Sequence, residues 1–361
     1  MRRQRRHSGI FVAMLVSGLF CAVTAQAERS ALILCGAGDK AEYQKQFRDW
    51  GTRLDHALVH VLGFSESSVT LLMEPLDTPM PPRAQKIQLD AIRDAFGEVA
   101  KRNGPNDDFF LFLIGHGSFQ NNVSKLIIPG PDLSAENLGK LLDTVPAQRQ
   151  VIIDSTSSSA GFINALSGKG RIICTATKSA EERNATQFME YFLQAIEEGS
   201  ADQDRDERIS VLEACQQAAV LTQAAYTGEG VIATEHAILD DNGDGLGSRL
   251  PIGGNEGEAS ARPASGGDAH IDGAIAAKVY LRDFAFPPAA PPELIKRYRD
   301  ALAAIEALKS KKTTMDSEAY YGQLEKLFIK AAKINRDIRA FAAPAPKSGK
   351  GTAAADTGTG Q

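Results

Sequence analysis

Two short polar segments hold the side chains of this sequence that are best suited to chemistry. His116 stands between two glycines, directly after the apolar run 109–114. Imidazole titrates near neutral pH, and flanking glycines let a backbone or a substrate approach it closely. The second segment, residues 154–159, follows the apolar run 151–153 and places five consecutive hydroxyl residues behind a carboxylate. A histidine close to a hydroxyl or a thiol is the arrangement of a general base and its nucleophile.

The elements around these segments alternate between apolar strands and amphipathic helices. Helical spacing of apolar residues predicts helices over residues 42–62, 84–99 and 135–142. Short continuous apolar runs predict buried strands at residues 31–35, 69–72, 109–114, 151–153 and 171–175. This alternation predicts an α/β fold with a mostly parallel sheet covered on both sides. In such sheets the chemistry gathers at the carboxyl ends of the strands, where both polar segments fall.

The order and spacing of these motifs resemble the caspase–legumain group of cysteine peptidases, the peptidase C13-like proteins. Residues 107–117 and 151–159 carry the resemblance, with support from residues 171–177 and from the opening strand and turn at 32–38. The resemblance implies a three-layer caspase-like domain and a peptide hydrolase with His116 as its general base. It also implies a nucleophilic cysteine two residues beyond an acidic residue. Counted from Asp154, that position is Thr156.

The replacement of cysteine leaves three interpretations open. The favoured one is a pseudoenzyme (a non-catalytic relative) that keeps the site to bind a peptide or a partner protein, with Asp154 and Thr156 as vestiges. The second is an active hydrolase with His116 as base and Thr156 or Ser157 as nucleophile. That chemistry is harder, because a hydroxyl needs a well-aligned base and the methyl group of threonine restricts its rotamer. In the third, the hydroxyls only cap the following helix.

An acidic loop at residues 202–213 has the ligand spacing of an EF-hand calcium loop. Oxygen donors stand at positions 1, 3, 5, 7, 9 and 12 of this loop, namely Asp202, Asp204, Asp206, Arg208 through its carbonyl, Ser210 and Glu213. Glu207 occupies the sixth position, where the sharp turn usually needs glycine, and should weaken binding. The sequence therefore predicts an EF-hand-like insertion with calcium as cofactor. The alternative is an acidic, solvated loop.

A second acidic segment, residues 240–245, repeats the first ligand positions inside a glycine-rich stretch, residues 228–273. Its twelfth position is Pro251, and no helix is predicted to follow. We expect a turn here rather than a complete metal site, unless a distant residue such as Glu235 contributes.

The first 27 residues have the composition of a signal peptide. They combine four arginines before residue 7, an apolar run at 10–23 and Ala25-Gln26-Ala27 just before Glu28. The run of about 14 apolar residues is shorter than the roughly 20 that a spanning helix requires. We expect a periplasmic or secreted protein with no membrane span after the signal is removed.

Charge argues against one class of partner. Without the four leading arginines, 36 of the 40 basic residues remain against 45 acidic ones, a balance of −9. Nucleic-acid binding normally relies on positive potential, so a nucleic-acid partner is not expected.

The C-terminal region predicts a helical hairpin. The main domain is predicted to span residues 28–286 and to be followed by a linker at residues 287–292. Beyond it, heptad-spaced apolar residues over 287–341 predict two helices of a hairpin or coiled coil, which either pack on each other or dock an envelope protein. The apolar positions are Leu294, Tyr298, Ala301, Ile305 and Leu308, then Tyr320, Leu324, Leu327, Ala331, Ile334, Ile338 and Phe341. The composition of residues 342–361 predicts a disordered tail.

Overall fold

The computed structural model describes residues 28–252, 272–284, 286–287, 289–309, 311–312 and 314–341. The predicted signal peptide, the predicted tail and part of the glycine-rich stretch lie outside these residues. The chain divides into two compact units. Of the described residues, the first unit contains those up to Gln203 and those within Ser210–Val279, and the second contains Asp204–Ile209 and those from Tyr280 onward.

An eight-stranded sheet forms the centre of the first unit. The strands of this unit are β1 Arg29–Cys35, β2 Val69–Met73, β3 Ala84–Lys86, β4 Asp108–Ile114, β5 Gly117–Gln120, β6 Val123–Leu126, β7 Leu133–Ser134, β8 Arg149–Asp154, β9 Arg171–Thr175, β11 Ile238–Asp240 and β12 Ser248–Arg249. The order in the large sheet is β12-β11-β9-β8-β4-β1-β2-β3; the six strands from β9 to β3 run parallel, and β11 and β12 are added at one end in antiparallel pairs. A separate antiparallel sheet has the order β5-β6-β7. The two-residue strand β10, Ile209–Ser210, spans the boundary between the units.

Helices cover both faces of the large sheet, because its central strands are apolar on both sides. Leu32 and Leu111 lie in one core with residues of the helices at 89–102, 135–142 and 160–166. On the other face, Phe112 contacts Phe192 of the helix at 188–197, with ring centroids 6.2 Å apart. The helices of this unit are α1 Ala41–His60, α2 Leu89–Arg102, α3 Ala135–Leu142, α4 Ala160–Leu166, α5 Phe188–Glu197 and α6 Val211–Glu229, with short 3₁₀ turns at Glu66–Ser68 and Ala276–Lys278. The predicted three-layer α/β architecture with a mostly parallel sheet is confirmed.

One predicted helix begins in the wrong place. Residues 84–86 form the edge strand β3, which pairs in parallel with β2, and α2 starts only at Leu89. This strand has the sequence Ala-Gln-Lys and is half exposed, so it lacks the apolar run that reveals the buried strands.

The second unit contains β13, Tyr280–Arg282, and the hairpin helices α7, Pro292–Lys309, and α8, Ser317–Arg339. The predicted heptad positions Tyr298, Ile305, Ile334 and Ile338 are buried together between the two helices. Most of the apolar spacing is therefore satisfied by the hairpin itself. Phe341, the last predicted position, lies beyond the end of α8 and is exposed. Docking of an envelope partner through this hairpin stays a prediction. None of the helices in the described part of the chain combines the length and the apolarity that crossing a bilayer requires.

Candidate functional site

Parallel pairing of β4 with β8 brings the two polar segments to one edge of the sheet. Leu113 lies opposite Asp154 in the register, so the strands end side by side. The loops that follow are in direct contact: the Ser157 hydroxyl oxygen accepts the Gly117 N–H at 3.1 Å and donates to the Gly117 carbonyl at 3.1 Å. The glycine next to His116 and the hydroxyl segment, residues 155–159, are therefore neighbours.

The two glycines around His116 have separate steric roles. Gly115 has φ +140°, a conformation that residues with a Cβ rarely adopt. Gly117 has no such backbone constraint. However, a Cβ built on it would lie 2.0 Å from the Ser157 carbonyl oxygen and 2.8 Å from Thr156 Oγ1. Glycine at residue 117 is thus required by the close approach of the hydroxyl segment.

The imidazole of His116 lies beside aromatic rings and one carboxylate. Edge-on contacts place its ring centroid 4.7 Å from that of Tyr43 and 5.0 Å from that of Phe47, both on α1. Its Nε2 is 3.3 Å from Asp39 Oδ1 and makes no hydrogen bond within the described residues. The side chain is 21% exposed, which leaves part of the ring accessible.

Thr156, the predicted position of the nucleophile, is fully buried. Its hydroxyl donates to Asp154 Oδ1 at 2.7 Å, and its backbone N–H donates to the same oxygen at 3.0 Å. The exposed fraction of the whole residue is 0%. The hydroxyl proton is therefore directed toward Asp154 and not toward His116.

Asp154 is itself a buried carboxylate with one oxygen that has no partner within the described residues. Burial raises the pKa of Asp154 to about 7, and the two hydrogen bonds from Thr156 oppose that rise. Desolvation disfavours the charged form of a carboxylate, so the neutral form becomes accessible near neutral pH.

The remaining hydroxyls bond to different parts of the first unit. Ser155 donates to the Leu113 carbonyl at 2.8 Å, and Ser159 shares a 3.1 Å hydrogen bond with the hydroxyl of Thr177. Ser159 stands at the start of α4 but makes no side-chain cap there. Instead, the Thr177 hydroxyl oxygen accepts the Ala160 N–H at 3.0 Å. The cap expected from the serines is thus supplied by a residue of the next loop.

Two further residues, Glu182 and His236, lie next to this segment. Ser158 adopts φ +56°, and its N–H donates to the Glu182 carbonyl at 2.8 Å. The Glu182 carboxylate contacts His236 Nδ1 at 2.6 Å, and both side chains are mostly buried. His236 stands in a loop 120 residues beyond His116, and no local pattern marks it as a neighbour of the hydroxyl segment.

The loop predicted to bind calcium crosses the boundary between the two units. Asp202, Ser210 and Glu213 belong to the first unit, whereas Asp204, Asp206 and Arg208 belong to the second. In the first unit, Ser210 and Glu213 form a capping box at the start of α6: the Glu213 carboxylate accepts the Ser210 N–H at 2.8 Å.

In the second unit, the loop carboxylates contact basic side chains. Arg208 Nε donates to Asp206 Oδ2 at 2.8 Å, and Lys309 Nζ lies 3.7 Å from Asp204 Oδ2. Glu207 is paired with Arg339. Glu207 also adopts φ +70°, so the sixth position has the left-handed turn of a calcium loop without the glycine. A cation bound here would have to share Asp206 with the Arg208 guanidinium.

Residues 90–203 match the Peptidase C13 family. The chain contains a peptidase C13-type, legumain-like domain. The matched segment includes both His116 and Thr156, so the resemblance inferred from the motifs is confirmed for this domain.

Comparison with solved structures finds a crystal structure of a protein from Geobacter sulfurreducens, determined as a structural-genomics target, with a TM-score of 0.39 and 12% identity. The similarity covers 59% of this chain and 92% of that one. No curated protein sequence matches the chain. The assignment of the peptidase C13-type domain therefore depends on the family match and on the strand order described above.

Proposed function

We propose that this chain is an exported, caspase/legumain-like protein that binds an extended peptide segment or a partner protein without cleaving it. The observation that carries the proposal is the environment of Thr156, which is 0% exposed and hydrogen-bonded to Asp154. A nucleophile must come within about 3–3.5 Å of the carbonyl carbon that it attacks. A fully buried hydroxyl oxygen cannot make that contact.

The environment of His116 also favours binding over catalysis. A general base must lie within hydrogen-bond reach of the proton that it removes. The Thr156 proton is directed to Asp154, and the imidazole Nε2 lies against Asp39. The partly exposed ring and the exposed Asp39 carboxylate remain available to a ligand.

Specificity is assigned to the loop after Thr177. Lys178, Glu181 and Arg183 keep exposed charged groups, with side-chain exposures of 48%, 70% and 61%. Glu182 is turned inward toward His236 and is left out of this set. Mixed charges of this kind favour a polar or charged ligand side chain.

An active hydrolase is the second candidate, and one observation favours it. Asp154 accepts the Thr156 hydroxyl proton and has a pKa raised to about 7 by burial, as a general base at neutral pH would. Turnover would then require a rearrangement that exposes Thr156 or Ser157.

Calcium binding by the 202–213 loop is a separate proposal. It is supported by the six oxygen positions and by the left-handed backbone at Glu207.

Export is supported by Glu28, whose backbone N atom lies 2.8 Å from Asp107 Oδ1. Cleavage before Glu28 would place a terminal ammonium beside that carboxylate.

A peptide library distinguishes binding from turnover. The mature chain is incubated with the library, and both cleavage and retained peptides are measured by mass spectrometry for the wild type and for His116→Ala. We expect that neither protein cleaves the peptides. We also expect that the wild type retains a defined set of peptides and that His116→Ala does not retain them. Cleavage by the wild type that disappears in His116→Ala would overturn the non-catalytic assignment.

The Thr156→Cys variant tests the site directly. Its matched control is Thr144→Cys, which places a thiol at an exposed hydroxyl elsewhere in the same unit. Thiol-dependent cleavage by Thr156→Cys alone would show that the domain lacks only its nucleophile. Peptide retention without cleavage would match the burial of residue 156.

A further inference from the structure

Three buried carboxylates of the first unit lie near the end of β11, outside the site described above. Asp240, Asp241 and Asp272 are 1%, 3% and 4% exposed. Asp241 Oδ2 accepts the N–H groups of Ile275 and Ala276, each at 2.8 Å. Asp272 accepts the hydroxyl and the N–H of Ser248 at 2.7 and 3.1 Å. Asp241 and Asp272 are therefore held by ordinary donors.

Asp240 differs from Asp241 and Asp272 because one of its two carboxylate oxygens has no hydrogen-bond partner among the described residues. Its Oδ1 accepts the Gly243 N–H at 3.1 Å, whereas its Oδ2 is buried and has no hydrogen-bond partner in the described part of the chain. The two oxygens share one carbon atom, so the bond to Gly243 also keeps Oδ2 beside the 240–248 loop. Buried charged oxygens are normally paired, hydrogen-bonded or coordinated to a metal.

The same loop places further oxygens where a calcium loop has its ligands. Counted from Asp240, Asn242 and Asp244 fall at positions 3 and 5, and the carbonyl of Leu246 falls at position 7. Gly245, at position 6, has φ +77° and supplies the sharp turn that this position requires. Position 12 is Pro251, so the bidentate carboxylate of a full EF-hand loop is missing.

The backbone repeats the conformation of the 202–213 loop. Positive φ values occur at positions 4 and 6 in both: +58° and +70° at Arg205 and Glu207, and +78° and +77° at Gly243 and Gly245. The sequence predicts only a turn at residues 240–245, because spacing along the chain does not reveal that Asp240 Oδ2 is buried without a partner among the described residues.

We infer that residues 240–248 bind one calcium ion through the side-chain oxygens of Asp240, Asn242 and Asp244 and the carbonyl of Leu246, with water completing the shell. Calcium takes six to eight oxygen ligands in flexible geometry, which suits a set of carboxylate, amide and carbonyl oxygens. With two carboxylates and no bidentate ligand, the affinity belongs to the weak range of extracellular modules, a Kd of about 0.1–1 mM.

The position of this loop assigns the ion a structural role. Asp240 of β11 pairs with Ile173 on β9, to which β11 is antiparallel, and a Cβ on Gly243 would lie 2.9 Å from the Gly168 carbonyl carbon. The loop thus lies at the amino-terminal end of β9, whereas the hydroxyl segment follows the carboxyl end of β8. Calcium binding by this loop therefore does not depend on the peptide-binding role proposed for the hydroxyl segment.

Calcium titration of the mature chain tests the inference. Isothermal calorimetry and thermal unfolding are measured with Ca²⁺, and with Mg²⁺ in parallel, on the wild type, on Asp240→Asn and on Asp244→Asn. The control is Asp77→Asn, which makes the same charge change at an exposed aspartate of the same unit. We expect both loop variants to weaken one binding event at least tenfold and Asp77→Asn to leave it unchanged. Unaltered calcium binding by both loop variants would overturn the site.

The sign of the stability change provides a second, independent readout. Without calcium, Asp240→Asn should unfold at the same temperature as the wild type or higher, because it removes an unpartnered buried charge. With calcium the order should reverse, since a ligand bound only to the folded state raises its stability. If neither loop variant folds, Asp204→Asn decides: it disables the 202–213 loop and leaves residues 240–248 intact. Residual binding of one ion by that variant supports the site, and its absence refutes it.

Discussion

The Thr156 hydroxyl donates a 2.7 Å hydrogen bond to Asp154 Oδ1, two residues earlier in the chain. The sequence motifs predict that residue 156 is the position of the nucleophile. The Thr156 hydroxyl is instead hydrogen-bonded inside the protein to the carboxylate of Asp154. Burial raises the pKa of that carboxylate to about 7. One local contact therefore links the predicted nucleophile position to a buried carboxyl group whose pKa is raised to near neutral.

Removal of the Thr156 hydroxyl should destabilise the fold in a pH-dependent manner. Thr156→Val keeps the shape of the side chain but deletes the donor to Asp154. We expect the free energy of unfolding in urea to fall by about 1–3 kcal/mol at pH 8, where the carboxylate is charged, and by less at pH 5. Thr144→Val, which removes an exposed hydroxyl, is the control. An equal loss at both pH values would contradict the link to Asp154.

Ionisation of Asp154 should lower stability as pH rises. Its pKa is raised from 3.8 to about 7 by burial, so the folded state disfavours the charged form. The stability that the neutral carboxyl provides is complete below about pH 4 and is lost by about pH 7. Urea unfolding of the wild type relative to Asp154→Asn should show this decline, amounting to a few kcal/mol. A constant difference from pH 4 to 8 would exclude it. Glu235, whose pKa burial also raises to about 7, is present in both proteins and cancels.

Glycine at residue 117 should be indispensable. A Cβ there would lie 2.0 Å from the Ser157 carbonyl oxygen, so Gly117→Ala should lower the free energy of unfolding by more than about 3 kcal/mol. Gly97→Ala is the matched control, because Gly97 lies within α2 with no atom within 4 Å of the added Cβ. That control should gain about 0.5–1 kcal/mol. Similar thermal unfolding of the two variants would show that the two loops are not in close contact.

Calcium binding at the 202–213 loop should raise the unfolding temperature of the mature chain, since a ligand bound only to the folded state stabilises it. Asp202→Ala should reduce the shift that calcium produces, and Asp77→Ala should not. Melting curves that respond identically to calcium in the wild type and in Asp202→Ala would remove this loop from the set of metal sites.

Export should produce a chain that begins at Glu28. After secretion from a bacterial host, the intact mass of the protein should correspond to residues 28–361. Retention of residues 1–27 in the purified exported protein would contradict the signal-peptide assignment.

The sequence was sufficient to predict the central strands, because strands that are buried on both faces of a parallel sheet consist of continuous apolar runs. Each of the five predicted runs lies within an observed strand of the large sheet. Strands without such a run were missed: β3 is short and half exposed, and β11 and β12 fall in a stretch dominated by glycine and acidic residues.

What the sequence determined by itself is the meeting of the two loops. His116 and Thr156 each follow an apolar strand, and parallel strands end at one edge of a sheet, so their proximity follows from local patterns. Only the tertiary structure decided what the side chains do there. The hydrogen bonds of Ser157 with Gly117 and of Ser159 with Thr177, and the burial of Thr156, depend on residues 18 to 40 positions apart in the chain. The direction in which a hydroxyl donates is set by the acceptors that folding brings around it, and no spacing along the sequence encodes those neighbours.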